Sequence, residues 1–187
     1  MLKDFLSNEK KKLRLRLKTA RNSLQKKQRI EAEKKITDLF ISKFSEFAHY
    51  GAYYPINNEV DILPILQLLS KAGRSLSLPC VHSDHLLFRH WQLGEPLNKT
   101  KYAFEPLKNG TPTSPEIVLT PLLGFDRRGF RLGYGGGYYD HYFIEHGNVI
   151  KVGIAFACQE FDKLPIEDHD QRLDFIITEK EILSCSI

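Results

Sequence analysis

Residues 117–140 read IVLTPLLGFDRRGFRLGYGGGYYD and hold three patterns in succession. The apolar residues 117–119 predict a short buried strand that ends at Pro121, because proline cannot continue a sheet ladder. Six of the chain's 12 glycines lie in residues 124–137, which predict a glycine-rich loop. Residues 138–146 predict a helix. A strand, a glycine-rich loop and a helix in this order are typical of an α/β protein.

The segments on both sides repeat the alternation of helices and strands. Basic, amphipathic helices are predicted over residues 1–45, with a break at Ser23 or Gln25. The remaining predicted elements are strands at residues 49–54, 75–81, 85–91, 149–155 and 175–178, a helix at residues 61–69 that Asp61 could cap, a long loop at residues 94–115 and a short helix at residues 179–183. This alternation predicts a single α/β domain over residues 1–187 with a mostly parallel sheet.

The charge is concentrated at the N-terminal end. Residues 1–35 hold 13 Lys and Arg against 4 Asp and Glu, whereas the whole chain has a formal net charge of +4. Such a segment indicates an anionic partner, namely phosphate, nucleic acid or a lipid headgroup, although a solvated helix face is the commoner explanation. Within this segment, Lys10 and Arg14 are four residues apart and therefore share one helix face.

The cysteines and the hydropathy pattern indicate the cell compartment in which the protein works. Cys80, Cys158 and Cys185 match no CxxC pair and no Cys/His ligand spacing. Their odd number fits a reducing compartment. The N-terminus lacks the apolar core of a signal peptide, and no run reaches the ~18 apolar residues of a spanning helix. We therefore expect a soluble, cytoplasmic protein that does not bind membranes.

The glycine-rich loop carries the clearest chemistry. Glycine tolerates positive φ and close backbone approach, so the N–H groups of residues 135–137 and the following helix N-terminus can form an anion-binding concavity. Arg131 adds a forked cation that suits phosphate oxygens, and Asp140 could hold Mg²⁺ beside a phosphate. The Gly-Lys-Ser/Thr ending of a Walker A loop is absent. The alternative is a tight turn whose following tyrosines pack in the core.

A second acidic segment, residues 167–170, reads Glu-Asp-His-Asp and is followed by Asp174. Taken alone, such a segment is more often a solvated loop than a metal site. Together with Asp140 it could supply the one or two carboxylates that Mg²⁺ usually takes from a protein, the other ligands being water and substrate phosphates.

The run Arg-Leu-Gly-x-Gly-x-Gly-Tyr-Tyr-Asp at residues 131–140 strongly resembles the signature of the 5-formyltetrahydrofolate cyclo-ligase family, also called methenyltetrahydrofolate synthetase. Other elements match this family in order. They are Lys10 with Arg14, Asn-Glu-Val-Asp at residues 58–61, Trp91, Phe-Glu-Pro at residues 104–106, Pro165, His169 with Asp170, and residues 174–178. The resemblance thus extends over nearly the whole chain, and residues 131–140 are its most specific part.

The resemblance implies a three-layer α/β/α fold with a mainly parallel sheet. It implies a monomeric, ATP- and Mg²⁺-dependent ligase that cyclises 5-formyltetrahydrofolate to 5,10-methenyltetrahydrofolate, with release of ADP and phosphate and without nucleic acid. The implied ATP-binding residues are Lys10, Arg14, Arg131, Gly133, Gly135, Gly136, Gly137, Tyr138 and Tyr139. The implied folate-binding residues are Ile56, Glu59, Asp61, Trp91 and Tyr138. The implied Mg²⁺ ligands are Asp140 and Asp170, and the implied catalytic residues are Arg131, Tyr138 and Asp140.

The sequence departs from the family pattern at two positions. His141 stands where many relatives have arginine, and Gly136 stands where some have lysine. The choice between Glu59 and Asp61 for the main pterin contact stays open.

Two other functions fit parts of the sequence. An RNA-binding module could use the basic N-terminal helices, although no RNP1-like run and no GxxG clamp on a basic surface is present. A different ATP-dependent kinase or ligase could share only the phosphate loop. Steeply salt-dependent RNA affinity would favour the first function, and ATP turnover that is independent of folate would favour the second.

Overall fold

The structure, a computed structural model, describes residues 2–82, 85–100, 103–107 and 110–185, with side chains from residue 6 onward. Its helices are α1 (Leu2–Asn22), α2 (Lys26–Phe44), α3 (Leu63–Lys71) and α4 (Tyr138–Glu145), with a 3-10 turn at Ala157–Gln159. Its strands are β1 (His49–Gly51), β2 (Ser75–His82), β3 (His85–His90), β4 (Leu97–Lys99), β5 (Phe104–Pro106), β6 (Pro112–Thr113), β7 (Ile117–Pro121), β8 (Gly124–Phe125), β9 (Arg131–Leu132), β10 (Ile150–Ile154), β11 (Phe175–Ile177) and β12 (Ile182–Ser184). Among these described residues, no helix combines the length and the apolar character needed to cross a bilayer.

Eight strands form one mixed sheet in the order β12-β11-β10-β7-β1-β2-β3-β6. The five central strands, from β11 to β2, are parallel. The edge strand β12 pairs antiparallel with β11, and β3 pairs antiparallel with β2 and with the other edge strand, β6. The prediction of an α/β fold with a mainly parallel sheet is therefore confirmed.

The two faces of the sheet carry separate hydrophobic cores. On one face, Phe40 of α2 and Leu66 of α3 belong to the same buried cluster as Leu119. On the other face, Phe143 of α4 clusters with Val118. Neighbouring residues of β7 thus serve opposite cores, because side chains alternate along a strand. The result is the expected three layers, with α2 and α3 on one side of the sheet and α4 on the other.

Helix α1 packs through a third, smaller cluster. Leu17 is 3% exposed and lies with Leu132 and Leu164. The helix approaches β8 so closely that a Cβ at Gly124 would lie 2.3 Å from Leu17 Cδ1. This packing places one face of α1 against the glycine-rich loop.

The sheet has a topological switch point between β1 and β7. The chain passes from β1 through α3 to β2 on one side, whereas it passes from β7 through α4 to β10 on the other. Connections that diverge in this way leave a crevice outside the carboxyl ends of the strands, where open α/β sheets bind their ligands. The loop after β1 and the glycine-rich loop after β7 border this crevice.

Two local predictions differ from the structure. The helix predicted at residues 179–183 is wrong: the Thr178 N–H donates to the Glu181 carbonyl at 3.0 Å and closes a turn, after which β12 pairs with β11. The loop predicted at residues 94–115 contains β4, β5 and β6. The strands in these two segments are too short for a hydrophobic period to predict them, and pairing with distant residues decides their conformation.

Candidate active site

The crevice at the switch point is a cavity of about 670 Å³, within the range of roughly 300–1,000 Å³ that is typical of ligand sites. Part of its lining, which we call the charged wall, consists of Lys10, Arg14, Arg131, Asp140, Glu167 and Asp170. Another part, which we call the apolar wall, consists of Tyr54, Pro79, Val81 and Leu86. The cavity therefore offers charge and apolar surface to the same ligand space.

Lys10 of α1 joins two of the three acids of the charged wall. Its Nζ donates to Asp170 Oδ2 at 2.6 Å and to Glu167 Oε2 at 2.8 Å. Burial lowers the pKa of Lys10, but the hydrogen bonds and charges of the two carboxylates outweigh burial, so this pKa lies above its ordinary value of 10.5. The hydrogen bond from Lys10 in turn lowers the pKa of Glu167. Lys10 is therefore a cation at neutral pH, and it stands beside two anions.

The Arg131 guanidinium connects the glycine-rich loop to α4. The side chain is 5% exposed, and its Nη2 donates to Asp140 Oδ1 at 2.8 Å. Nη1 donates to the Gln171 carbonyl at 2.8 Å, while the Gln171 N–H donates to the same Asp140 oxygen at 2.9 Å. Asp140 lies in the first turn of α4, where the helix dipole also favours a carboxylate. These bonds fix the orientation of a planar cation at the cavity.

Arg14 of α1 packs directly on the glycine-rich loop. Its Nε donates to the Gly133 carbonyl at 2.9 Å. Gly135 has a φ of +104°, and a Cβ at this position would lie 3.2 Å from Arg14 Nη2. Glycine is therefore needed here both for the backbone conformation and for the close approach of the guanidinium. Gly137, with a φ of +68°, directly precedes α4, so the loop leads into a helix N-terminus of the kind that binds anions.

Gly136 determines where the Tyr138 ring lies. A Cβ at Gly136 would lie 2.5 Å from Tyr138 Cε2, which is closer than the two carbons can approach. Tyr138 and the neighbouring His141 both line the cavity. A larger residue at position 136 would displace the tyrosine ring from this wall.

A tight turn at residues 56–59 follows β1 at the opposite border of the cavity. Asn57 and Asn58 have φ values of 49° and 61°, in the left-handed region that asparagine tolerates better than most residues. The Glu59 N–H donates to the Ile56 carbonyl at 2.9 Å, and the Ile56 N–H donates to Glu59 Oε2 at 3.0 Å. These two reciprocal bonds close the 56–59 turn.

Glu59 is a buried acid that lines the cavity, and it is 6% exposed. Burial raises its pKa above the ordinary 4.5, although the Ile56 N–H, the charge of Arg21 and the Tyr134 hydroxyl act in the opposite direction. A carboxyl group in this environment can accept a hydrogen bond or a proton from an N–H group of a ligand.

The apolar wall is built by the β2–β3 hairpin and an aromatic group. Val81 of β2 lies opposite Leu86 of β3 in the antiparallel ladder. The Tyr54 ring lies 5.0 Å from the Phe104 ring and meets the Trp91 ring edge-on at 6.4 Å, as measured between ring centroids. This wall can therefore hold a flat apolar or aromatic group.

Most of the predicted site residues meet at this cavity. Those that line it are Lys10, Arg14, Ile56, Glu59, Arg131, Gly133, Gly135, Gly136, Gly137, Tyr138, Tyr139, Asp140 and Asp170. Two predicted folate-binding residues do not line it. Trp91 is 3% exposed, lies behind Tyr54 and donates from Nε1 to the Glu95 carbonyl. Asp61 Oδ1 accepts from the Leu63 N–H at the start of α3.

The candidate metal ligands are arranged differently from the predicted pair. In the described parts of the chain, one group of possible ligands has its atoms within 4.8 Å of one another, and it consists of Glu167, His169 and Asp170. Asp140 contacts Arg131 rather than this group. Two carboxylates beside a candidate phosphate site are hard oxygen donors, so the residues present fit Mg²⁺.

The apolar wall and Tyr134 were not predicted from the sequence. Pro79 and Val81 stand two apart in a predicted strand, so they could be placed on one face of that strand, but their proximity to the glycine-rich loop depends on strand order. Tyr134 occupies a variable position of the signature run and has no chemistry that marks it in sequence. Glu167 belongs to the acidic segment that the sequence does indicate.

Together, these features define an open α/β protein whose ligand cavity combines an anion-binding loop, clustered carboxylates and an apolar wall. The profile of the 5-formyltetrahydrofolate cyclo-ligase family matches residues 6–179. The chain therefore belongs to the 5-formyltetrahydrofolate cyclo-ligase family. It is accordingly an enzyme of one-carbon folate metabolism, a ligase that uses ATP to close a ring on 5-formyltetrahydrofolate.

Individual relatives agree with this assignment. The 5-formyltetrahydrofolate cyclo-ligase of Haemophilus influenzae is 28% identical over 176 residues, which cover 88% of this chain and 94% of the relative. The Escherichia coli K12 protein of the same name is 33% identical over 143 residues, which cover 71% and 78%. The solved structure of Aquifex aeolicus 5,10-methenyltetrahydrofolate synthetase superimposes with a TM-score of 0.83 at 27% identity, covering 95% of this chain and 93% of that one.

Proposed function

We propose that the cavity at the switch point is where this chain carries out the cyclisation, with ATP at the charged wall and the folate between the 56–59 turn and the apolar wall. The observation that supports this arrangement most strongly is that Lys10, Arg14, Arg131 and the glycine-rich loop line a single cavity. Three cations and a helix N-terminus suit a polyphosphate, whereas a flat apolar wall with a buried acid suits a pterin.

The proposed ATP contacts divide between side chains and backbone. Lys10, Arg14 and Arg131 neutralise phosphate charge, and the N–H groups of residues 133–139 approach the phosphate oxygens. Because Lys10 also contacts two carboxylates, a phosphate has to compete with them for its ammonium group. Arg131 is already held in place by Asp140 and Gln171, so it can stabilise developing charge without reorganising.

The proposed Mg²⁺ site uses Asp170 and Asp140, with Glu167 as a third carboxylate close by. When bound, the ion would offset the charge of the transferred phosphoryl group. The carboxylates of this chain orient that charge, and Arg131 and Lys10 balance the excess of negative charge around them. Mg²⁺ usually takes only one or two protein carboxylates, so the three acids are sufficient.

The proposed folate contacts are Ile56, Glu59 and Tyr138, all of which line the cavity. Glu59 makes the pterin contact rather than Asp61, because Asp61 serves the start of α3. Trp91 acts from behind, by supporting the Tyr54 ring. This assignment resolves the choice that the sequence left open in favour of the residue that faces the ligand space.

The chemistry that the site has to support is activation of a weak electrophile. The nitrogen lone pair of 5-formyltetrahydrofolate reduces the reactivity of its formyl carbon. Transfer of the γ-phosphoryl group from ATP to the formyl oxygen makes that oxygen a leaving group. The second folate nitrogen then attacks the formyl carbon, and phosphate departs as the ring closes. The protein has mainly to position the two substrates and to neutralise phosphate charge, with Arg131, Tyr138 and Asp140 nearest to this task.

We further propose that residues 1–187 act as one domain, that the enzyme works as a monomer, and that it works in the cytoplasm without a nucleic-acid or membrane partner. Lys10 and Arg14 line the cavity, which supports both a single domain and the absence of a nucleic-acid or membrane partner for these cations. Cys80, Cys158 and Cys185 are free thiols, which fits a reducing compartment.

The test of this function is an absorbance assay for the methenyl product. Purified protein should convert 5-formyltetrahydrofolate only when both ATP and Mg²⁺ are present, with one ADP released per product. Omitting each component in turn provides the controls. Absence of product at saturating concentrations of all three components would exclude the assignment, and ATP hydrolysis without folate would indicate a different ATP-dependent enzyme.

A further inference from the structure

The Arg21 guanidinium lies fully buried between the two loops that border the cavity. The residue is 0% exposed. Its Nη2 donates to the Asn57 carbonyl at 2.7 Å and to the Tyr134 hydroxyl at 2.9 Å, and its Nη1 donates to the Leu122 carbonyl at 3.4 Å. A single cation therefore contacts the 56–59 turn and the glycine-rich loop at the same time.

The counter-charge for this buried cation also comes from the cavity. Glu59, which is 6% exposed, closes the 56–59 turn. The Tyr134 hydroxyl accepts a hydrogen bond from Arg21 at 2.9 Å, and both groups help to lower the pKa of Glu59 against the effect of burial. A buried cation needs a charged partner and several hydrogen bonds to be tolerated. Here these partners belong to the two loops, so the three side chains connect one loop to the other.

Helix α1 carries this connection on the same face as its other cavity residues. Lys10, Arg14 and Arg21 are separated by four and seven residues, which places them along one side of a helix. Leu17 lies between them and anchors the helix to Leu132. One rigid element therefore contacts the charged wall near its middle and both loops near its end.

We propose that Arg21 is a positioning residue that fixes the separation of the 56–59 turn and the glycine-rich loop, so that the two substrates meet in reacting geometry. The inference rests on the proposed function, since it assigns ATP to one loop and folate to the other. A misplacement of about 1 Å can lower a rate on the order of 10²-fold. Loss of the connection therefore affects turnover more than the affinity for either substrate.

The kinetic test compares Arg21→Lys and Tyr134→Phe with two control variants, one on α2 and one on α1. Arg29→Met removes the donors to the Asn58 and Glu59 carbonyls and one donor to the Arg21 carbonyl, but it leaves the bonds from the Arg21 guanidinium to both loops in place. Lys18→Met changes an exposed residue of α1. In both test variants kcat should fall by about tenfold or more, with each KM within roughly threefold of wild type. Arg29→Met should mainly raise the KM for folate, and Lys18→Met should change neither constant.

A second measurement does not depend on turnover. Amide hydrogen exchange should accelerate in both loops for Arg21→Lys, whereas for Arg29→Met it should accelerate in the 56–59 turn and not in the glycine-rich loop. Unchanged kcat per folded molecule in both test variants, or unchanged exchange in either loop of Arg21→Lys, would overturn the proposal. If wild-type protein forms no methenyl product, the proposed function fails, and the exchange comparison still decides whether Arg21 holds the two loops together.

Discussion

The side chains of the two cavity walls are held in place by different interactions. In the charged wall, Lys10 pairs with two carboxylates and Arg131 with one, at distances of 2.6–2.8 Å. In the apolar wall, Tyr54 and its neighbours are held by ring packing and by the β2–β3 ladder. Charge networks lose much when one partner is removed, because the other is left unpaired. Packed walls lose less when a side chain is replaced by one of similar shape.

This contrast predicts that substitutions in the charged wall affect chemistry and stability together, whereas substitutions in the apolar wall affect mainly the fit of the folate. It also predicts that the two substrates respond to different substitutions. Changes near the glycine-rich loop should alter the KM for ATP, and changes near the 56–59 turn should alter the KM for folate.

The largest effect is expected for Asp140→Asn. Loss of one preorganised charge at a phosphoryl-transfer site lowers turnover on the order of 10²–10³-fold. The substitution also removes the charged partner of buried Arg131, so it should lower the free energy of unfolding by about 1–3 kcal/mol. Melting temperature and Mg-ATP-dependent turnover should be measured on the same preparation. Asp168→Asn changes an exposed residue of the acidic segment and serves as the control. Near-normal turnover with a lowered melting point would leave Asp140 as a structural partner of Arg131 only.

The second effect concerns Glu59→Gln on the folate side. Removing a charged hydrogen-bond partner should raise the KM for folate by roughly 10–100-fold, since such bonds contribute about 1.5–3 kcal/mol. The KM for ATP should stay within roughly threefold of wild type. Glutamine keeps an acceptor for the Ile56 N–H, so the turn is retained. Equal changes in both constants would show that the walls are not separable.

The third effect concerns Lys10→Met, with Lys11→Met as the matched control. Lys10 is 7% exposed and faces the cavity, whereas Lys11 is exposed. The first substitution should raise the KM for ATP by about tenfold, equivalent to roughly 1.4 kcal/mol, and should change the KM for folate much less. A similar effect from Lys11→Met would indicate a diffuse positive field instead of a specific contact.

A smaller effect is expected for Trp91→Phe. Trp91 supports Tyr54 from behind and does not line the cavity, so the KM for folate should change by less than roughly threefold, while the melting temperature falls through lost packing. Titration of folate binding by calorimetry provides the comparison. A change of tenfold or more in folate affinity would mean that Trp91 contacts the folate directly.

The smallest effect is a trend with pH. The folded protein holds the pKa of Glu59 above its unfolded value of about 4.5. Protonation of Glu59 therefore stabilises the folded state fully below this unfolded pKa, and the stabilisation is lost as pH rises through the folded pKa. The melting temperature of wild type should therefore decline, relative to Glu59→Gln, as pH rises above about 4.5. A difference that is constant from pH 4 to 8 would contradict a raised pKa.

Much of the charged wall could be predicted from the sequence, for a local reason. Gly135 and Gly137 adopt positive φ within a few residues of one another, and Arg131 and Asp140 are separated by only nine positions, so the loop is largely encoded in one short run. Helical periodicity places Lys10 and Arg14 on one helix face, and the family resemblance singles them out among the basic residues of α1. The apolar wall could not be predicted in the same way, because Pro79 and Leu86 reach the cavity only through strand order.

The conformation of short elements and the burial of single side chains could not be predicted without the fold either. Residues 179–183 resemble a helix in composition, yet they turn and pair with β11, since a ladder with a neighbouring strand supplies the hydrogen bonds that a single helical turn lacks. Trp91 was predicted to contact the folate, and the structure places it in the core, edge-on to Tyr54 and outside the cavity lining.

The amino-acid sequence by itself determined the α/β class, the glycine-rich loop and the family, because those depend on local periodicity, on glycine conformations and on a contiguous signature. Only the tertiary structure decided that Glu59 rather than Asp61 faces the ligand space, that Lys10 stands between Glu167 and Asp170, and that Arg21 joins two loops. These relations connect residues 36 to 160 positions apart, and their distances depend on how helices and strands pack, which no local pattern specifies.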